Sequence, residues 1–290
     1  MVDLLRSPLC VLWEVVLAGL AAYAFAVEPG RLVVRRVDVP IVGLPRALDG
    51  LKIGQLSDLH RGPTMPRGRV ERAVALMAAE APDLVALTGD FVSYRPGYAA
   101  EYPEILAPLQ PGLGCYACTG NHDHWTGPDA VTAALEAAGV VVLRNGYQLV
   151  SVDGARLCLI GIDDIGADGV SGHHTTPADD LPTALAGSPF SGVVRVLLAH
   201  NPDSVMGPVF AREAARRPIH LVLSGHTHGG QVRLPLVGAL RLPSRHRRLF
   251  GGGLVQVAGT QVYVSRGAGS AFPMRFNCPP EVNVLTLRAA

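Results

Sequence analysis

The sequence predicts an α/β fold in which two mixed β-sheets pack as a sandwich flanked by helices, preceded by an apolar N-terminal helix. Three observations predict it. Short apolar runs alternate with helically spaced segments through the first half of the chain, the order that a parallel sheet with crossover helices requires. The C-terminal part instead carries closely spaced strand-like runs, the mark of hairpins. Finally, Leu9 to Val27 is a run of nineteen residues in which Glu14 is the only charge.

That first run would be about 28 Å long as a helix, close to the apolar thickness of a bilayer. It is apolar on every face, which favours a membrane anchor over a helix buried within the domain. A cleaved signal peptide is the alternative, because Ala24-Phe25-Ala26 makes an A-x-A site and Arg6 precedes the run. Arg31, Arg35 and Arg36 follow the span while only Arg6 precedes it, so the positive-inside bias places the domain on the cytoplasmic face, with export as the alternative. Residues 1–30 are thus an anchor or signal segment, and residues 45–290 are treated as one domain.

Beyond it, residues 31–42 alternate as a strand, and 51–57 form an apolar strand ending at Asp58. Val70, Ala73, Val74 and Met77 have helical spacing; Pro82-Asp83 then breaks the chain before a strand at 84–88. Helices follow near 98–109 and 129–138, around a strand at 115–119. Later strands fall near 148–152, 156–160, 193–199, 219–224, 254–257, 261–265 and 282–287, with helices near 179–186 and 203–215.

Composition narrows the class. Charged residues are 17% of the 290, below the roughly 25% of ordinary soluble domains. Mean hydropathy is +0.28, which suits a filled core plus a segment that meets a membrane. A net charge of +1 gives no global field to recruit nucleic acid. Five cysteines, an odd number without a framework, argue against a disulfide scaffold. The C-x-x-C of Cys115 and Cys118 lies in an apolar run and reads as core thiols. No phosphate-cradling G-x-x-x-x-G-K-[ST] loop is present.

Polar clusters stand immediately after the apolar strands: Asp58-Leu59-His60, Gly89-Asp90, Gly120-Asn121-His122-Asp123, His200-Asn201 and Gly225-His226-Thr227-His228-Gly229-Gly230. In α/β sheets ligands collect beyond the carboxyl ends of parallel strands, so these points should converge on one edge. On extended backbone, residues i and i+2 face one way, so Asp58 with His60, and His226 with His228, could each grip an ion. Carboxylate plus imidazole suits Mn, Fe or Zn rather than a structural zinc. Asp90 could bridge two such ions. The loop 163–180, with Asp163-Asp164 and His173-His174, could cover the site, although loop capping suits the two aspartates. Arg241, Arg245, Arg247 and Arg248 are either a solvated turn or a cationic rim for phosphate or lipid headgroups.

The ordered blocks D-x-H, G-D, G-N-H-D, H and G-H-x-H, spanning about 51–230, resemble the calcineurin-like metallophosphoesterase superfamily. The GHTHGGQ block, Phe276 to Glu281 and the apolar N-terminus resemble its membrane-associated branch, which includes phosphodiesterases and a UDP-2,3-diacylglucosamine pyrophosphatase type. The resemblance implies two divalent ions: Asp58, His60 and His228 on the first, Asn121, His200 and His226 on the second, with Asp90 bridging. It implies direct attack by a metal-bridging hydroxide on a phosphodiester or phosphoanhydride, in a lipid-linked substrate or, alternatively, by a soluble or exported general phosphodiesterase. His122 would protonate the leaving oxygen or contact the phosphate, and Asp123 would orient His122. No ligand position departs from the pattern, which argues against a non-catalytic membrane scaffold. No protein partner is evident.

Overall fold

In a computed structural model, which describes residues 8–164 and 180–290, the chain starts with α1 (Pro8–Ala22) and continues through a π turn and a 3-10 turn to Gly30. From Leu9 to Gly30 this segment is apolar, long enough to cross a membrane, and only 6% buried. An exposed apolar helix is not a core helix, so the buried alternative fails.

The first sheet holds β1 (Val33–Ile41), β2 (Lys52–Leu56), β3 (Leu84–Thr88), β4 (Cys115–Cys118), β5 (Val141–Val142) and the final strand, in spatial order β1, final strand, β2, β3, β4, β5. Strands β2 to β5 run parallel. The second sheet is built from β6 (Gly146–Val152), β7 (Ala155–Gly161), β8 (Val194–Leu198) and β9 (Leu221–Ser224). A small hairpin, β10 (Arg233–Leu234) and β11 (Gly238–Ala239), then precedes β12 (Gly253–Val257) and β13 (Thr260–Val264). The second sheet is ordered β12-β13-β9-β8-β7-β6, with its four central strands parallel. The final strand, β14 (Glu281–Ala289), pairs with β1 in parallel and β2 in antiparallel. Strand β1 therefore extends the sheet upstream of residue 45.

The central strands are buried on both faces, and their side chains divide the core by period two. Leu84 and Ala86 of β3 point between the sheets, where they meet Leu157, Leu159, Val196 and Leu223. Val85 and Leu87 point outward onto α2 (Arg67–Ala79), α3 (Tyr102–Leu106) and α5 (Pro128–Ala137) through Val70, Met77, Ile105 and Leu135. The second sheet covers its outer face with α6 (Leu181–Leu185) and α7 (Pro208–Arg216), burying Leu185 and Phe210 against Leu197 and Val222. The result is helix, sheet, sheet, helix, as predicted. Gln55 ties the two sheets by donating to Thr88 Oγ1 and to the Ser224 carbonyl, at 3.0 and 2.9 Å.

Boundaries differ where the chain uses 3-10 turns. The helix expected over 98–109 is a 3-10 turn at Pro96–Glu101 running into α3, and that over 203–215 is a 3-10 turn at Pro202–Met206 followed by α7. One helix was not expected: α4 (Asn121–Thr126), six residues opened by the Gly120 N-cap. Cys118 is buried and Cys115 half-buried, both as free thiols.

Candidate metal centre

Parallel strands with a common direction put their carboxyl ends on one edge, and the polar clusters follow them there. Asp58 and His60 follow β2, Asp90 follows β3, Asn121 and His122 open α4 after β4, His200 follows β8, and His226 and His228 follow β9. The site straddles the two sheets. Asp58 Oδ1 lies 3.3 Å from His228 Nε2 and 3.9 Å from His60 Nε2, and the two imidazole nitrogens are 3.0 Å apart. Asp90 Oδ2 lies 3.5 Å from His60 Nε2 and 3.2 Å from His200 Nε2. His226 Nδ1 lies 2.8 Å from Asn121 Oδ1. Ligand atoms thus gather as Asp58–His60–His228, His60–Asp90–His122 and Asp90–His200–His226, each within 4.8 Å.

The convergence is reached by a different backbone from the extended one expected. Asp58, His60, Asp90, His226 and His228 all have left-handed φ, between 48° and 66°. Each such residue costs about 1–2 kcal/mol and persists only where its surroundings hold it. Asp58 and His60 still face one group, but His226 and His228 do not; they serve separate groups. An extended strand would have aimed both into one.

Hydrogen bonds behind the rings fix their direction. The Thr88 carbonyl lies 2.7 Å from His200 Nδ1; a carbonyl only accepts, so Nδ1 carries a proton and Nε2 is the ring nitrogen aimed at Asp90. Ser93 Oγ engages His60 Nδ1 at 2.9 Å. Burial, reinforced by nearby His122, pushes His60 down to about 3, and burial, reinforced by His60 and Arg275, holds His228 well below the usual histidine range, so both are neutral near pH 7. Burial raises Asp58 to about 6. Burial opposes the charges of Asp90 and His200, yet each is held ionised by the other, Asp90 low and His200 high.

This donor set fits divalent cations. Two neutral imidazole nitrogens 3.0 Å apart repel through their lone pairs unless a proton or a cation lies between them. Oxygen and nitrogen donors with no thiolate among them suit Mn, Fe or Zn. Glycines make room for the approach: a Cβ on Gly225 would collide with Ser57 Oγ and Asp58 Oδ2, and one on Gly120 with the Asp90 carboxylate. His122 lies over the centre, its ring edge-on to His60 at 4.6 Å and beside Trp125 at 4.6 Å.

Asp123 faces the main chain around Asp90. Its buried carboxylate accepts from the main-chain N–H groups of Asp90, Phe91, Val92 and Gly120, at 2.8–3.2 Å. It holds the Asp90 loop. Asp163 accepts from Thr119 Oγ1 at 2.7 Å and pairs with Arg144 at 3.2 Å. His173 and His174 lie outside the described residues.

Sequence reasoning missed a sixth strand end. After β13, Ala268 N donates to the Ser57 carbonyl and Gly269 N to that of Asp58, both at 2.9 Å, clamping the first ligand from above. The small-residue run Gly267-Ala268-Gly269 directly after a strand was the available signal. It also missed Arg275, whose fully buried guanidinium donates to the carbonyls of Arg266, Gly269 and Cys278 and lies 3.3 Å from His228 Nδ1.

A cleft of about 490 Å³ opens over the centre, lined by Asp90, Asn121, His122, His226 and His228 below and by Gln231, Arg241, Pro243 and Phe272 at its mouth. Clustered carboxylate and imidazole donors at the floor of an open cleft are the equipment of a phosphoester hydrolase; of the four arginines at 241–248 only Arg241 lines this cleft. The chain belongs to the calcineurin-like phosphoesterase family, whose model matches residues 51–230. It is 35% identical over 241 residues to phosphodiesterase YaeI of Escherichia coli, covering 81% of this chain and 82% of that one. It is 36% identical over 298 residues to the transmembrane protein with metallophosphoesterase domain of Bos taurus, covering 99% of this chain and 63% of that one. UDP-2,3-diacylglucosamine pyrophosphatase LpxG of Chlamydia trachomatis is 27% identical over 315 residues, with 90% of each chain covered.

Proposed function

We propose that this hydrolase uses two divalent cations to cleave a phosphodiester or phosphoanhydride in a lipid-linked substrate, while tethered to a membrane by residues 9–30. The observation that carries the binuclear reading is the position of Asp90, whose Oδ2 stands between His60 Nε2 and His200 Nε2. Asp58, His60 and His228 would hold one ion, and Asn121, His200 and His226 the other, with Asp90 shared. Bound there, the cations would polarise phosphoryl oxygens and lower the pKa of a water. The chain's own groups do the rest. Thr88 and Ser93 orient the imidazoles, Asp123 positions Asp90, and His122 delivers a proton to the departing oxygen, an effect worth about 10²–10⁴ in rate. Arg241 at the cleft mouth attracts the substrate's phosphate.

The lipid-linked reading is supported by the exposed apolar helix and by the similarity to LpxG. The arginines at 31, 35 and 36 support a cytoplasmic-facing domain. A general phosphodiesterase is the second reading, favoured by the similarity to YaeI. The test is hydrolysis of bis-p-nitrophenyl phosphate beside a UDP-linked diacyl sugar, by metal-stripped protein reloaded with Mn, with Asp90→Ala and His122→Ala in parallel. Metal-dependent turnover lost in both variants, with preference for the lipid substrate, is the expected result. Turnover of the simple diester alone would leave the general phosphodiesterase, and none with any metal would overturn the catalytic reading.

A further inference from the structure

We propose that the β10–β11 hairpin, together with Phe272, dips into the membrane interface and seats the mouth of the metal cleft on an anionic leaflet. The inference rests on the membrane-tethered reading above and deepens it by naming the surface through which a lipid substrate reaches the metals.

The hairpin is short, and its tip is apolar. Leu234 pairs with Gly238, and the three residues between them, Pro235, Leu236 and Val237, point into solvent. Leu236 is fully exposed, Val237 is 70% exposed and Leu240 57%. Phe272, which lines the cleft and whose carbonyl accepts from Gln231 at the hairpin base, is 44% exposed. Leu236 also sits at φ 66°, a conformation that glycine or asparagine adopts more cheaply. A leucine that is both strained and bare gains nothing from the folded domain itself. Contiguous exposed apolar side chains rimmed by charge mark a surface that meets a partner or a membrane.

The charge around the tip selects an anionic partner. Residues 214–280 contain nine arginines and no aspartate or glutamate. Arg241, Arg245, Arg247 and Arg248 are exposed and follow the hairpin directly. Apolar tips flanked by exposed cations match an anionic leaflet, where headgroups attract arginine and the acyl boundary takes leucine and phenylalanine.

The geometry selects the membrane over other anionic partners, because the hairpin and the anchor grow from one hydrogen-bonded unit. Arg233 N donates to the Phe276 carbonyl and Phe276 N to the Gln231 carbonyl, both at 2.9 Å. Gln231 Nε2 donates to the carbonyls of Phe272 and Met274 at 2.9 and 2.7 Å. From the same loop, Arg275 N donates to the Ala24 carbonyl at 2.9 Å, and Asn277 N and Cys278 N donate to the buried Glu28 carboxylate. Tyr23 meets Phe276 edge-on at 6.4 Å. The end of the apolar helix, the loop 271–278 and the base of the hairpin are thereby joined, so a bilayer that holds residues 9–30 lies within reach of Leu236. The cleft is lined by residues that flank the hairpin on either side, Gly230 and Gln231 before it and Arg241 and Pro243 after it, together with Phe272.

The test uses the full chain reconstituted in vesicles, with Leu236→Trp in a Trp13→Phe background, leaving Trp125 as a constant reference. Tryptophan emission is read in vesicles of phosphatidylglycerol with brominated acyl chains, and in vesicles of phosphatidylcholine likewise brominated. The expected result is a roughly twofold loss, in the anionic vesicles, of the emission that Leu236→Trp adds, in keeping with seating at the headgroup–acyl boundary. Arg245→Gln/Arg247→Gln/Arg248→Gln should weaken that loss, and high salt should mimic the substitution. Unchanged hydrolysis of a soluble diester certifies that the variants fold, and Val237→Trp replaces Leu236→Trp if that one does not. No quenching above the Trp13→Phe background, or release of the hairpin tip from vesicles by single-stranded RNA, overturns the proposal. Turnover of a vesicle-borne lipid-linked diphosphate, measured on the same samples, reports separately on the substrate: quenching without such turnover keeps the membrane contact and sinks the lipid-substrate reading.

Discussion

Asp123 is fully buried and receives the Asp90 main-chain N–H on its Oδ2 at 2.9 Å, while Asp90 Oδ1 receives the N–H of His122, also at 2.9 Å. The two carboxylates thus brace the loops after β3 and β4 against each other, and Asp90, the proposed bridging ligand, is aimed by its neighbour. Asp123→Asn turns one oxygen into a donor facing main-chain donors. Leaving buried groups unmatched costs about 1–3 kcal/mol each. The variant should lose about 2–4 kcal/mol in urea unfolding and about 100-fold in kcat, with reduced metal content. An Asp123→Asn protein with full metal content and full kcat would show that the brace is irrelevant to Asp90.

The sheets and their order of ligands were legible because parallel strands buried on both faces read as unbroken apolar runs, and each ends at a polar block. Leu84 to Thr88 then Gly89-Asp90 is the clearest case, matched residue for residue by β3. The pairing of ligands was not legible from spacing, because left-handed φ at His226 and His228 overrides the strand period and sends the two rings apart. Arg275 was invisible for another reason. Its partners are main-chain carbonyls, which every sequence has, so only the fold reveals that they converge on it. The main-chain contacts of Asp123 were not legible either, because they depend on helix α4 turning its carboxylate back toward Gly120 and the Asp90 loop.

Gly225, directly after β9, packs against the Ser57-Asp58 turn that follows β2. Its missing side chain lets Ser57 Oγ and Asp58 Oδ2 occupy the space a Cβ would need. Gly225→Ala should displace Asp58, and overpacking of this kind costs about 1–3 kcal/mol. The expected outcome is loss of one equivalent of bound metal by elemental analysis and a kcat/KM at least about 100-fold lower. Metal stoichiometry equal to the parent would contradict the crowding argument.

Metal removal should cost stability as well as activity, because cations bound only by the folded site stabilise the fold by mass action. Burial sets Asp58, His60 and His228 in positions they hold at a penalty. A chelator should abolish diester hydrolysis and lower Tm, and Mn at about 100 times its Kd should restore about 2.7 kcal/mol. A Tm indifferent to chelation, in protein shown to have lost its metal, would mean that the site is held open by the fold alone.

Arg275 should behave as a structural cation. It donates to four carbonyls and to Ser270 Oγ, and no carboxylate is among these partners. Arg275→Met fills a similar volume but strands those acceptors, so a loss of about 3–5 kcal/mol is expected. Arg275→Lys supplies the charge without the fork and should recover less than half of it. Thermal unfolding of both variants beside the parent checks this; a methionine variant as stable as the parent would refute it.

His220 gives the clearest pH dependence outside the metal centre. Burial, with Arg195 close by, holds its pKa below the ordinary histidine value of 6.5. Its Nδ1 accepts the Arg195 main-chain N–H at 3.0 Å, so the folded protein favours the unprotonated ring. The unfolded chain takes up a proton near pH 6.5, before the folded chain does. The contribution to stability is therefore complete above about pH 6.5 and is lost as pH falls through that value toward the lower folded pKa. His220→Asn keeps an acceptor at the Nδ1 position but cannot titrate. The parent should lose more stability than His220→Asn in urea unfolding between about pH 7.5 and 5.5, because acidification removes an acceptor from the parent alone. Parallel stability curves for the two proteins across that interval would show that His220 titrates normally in the fold.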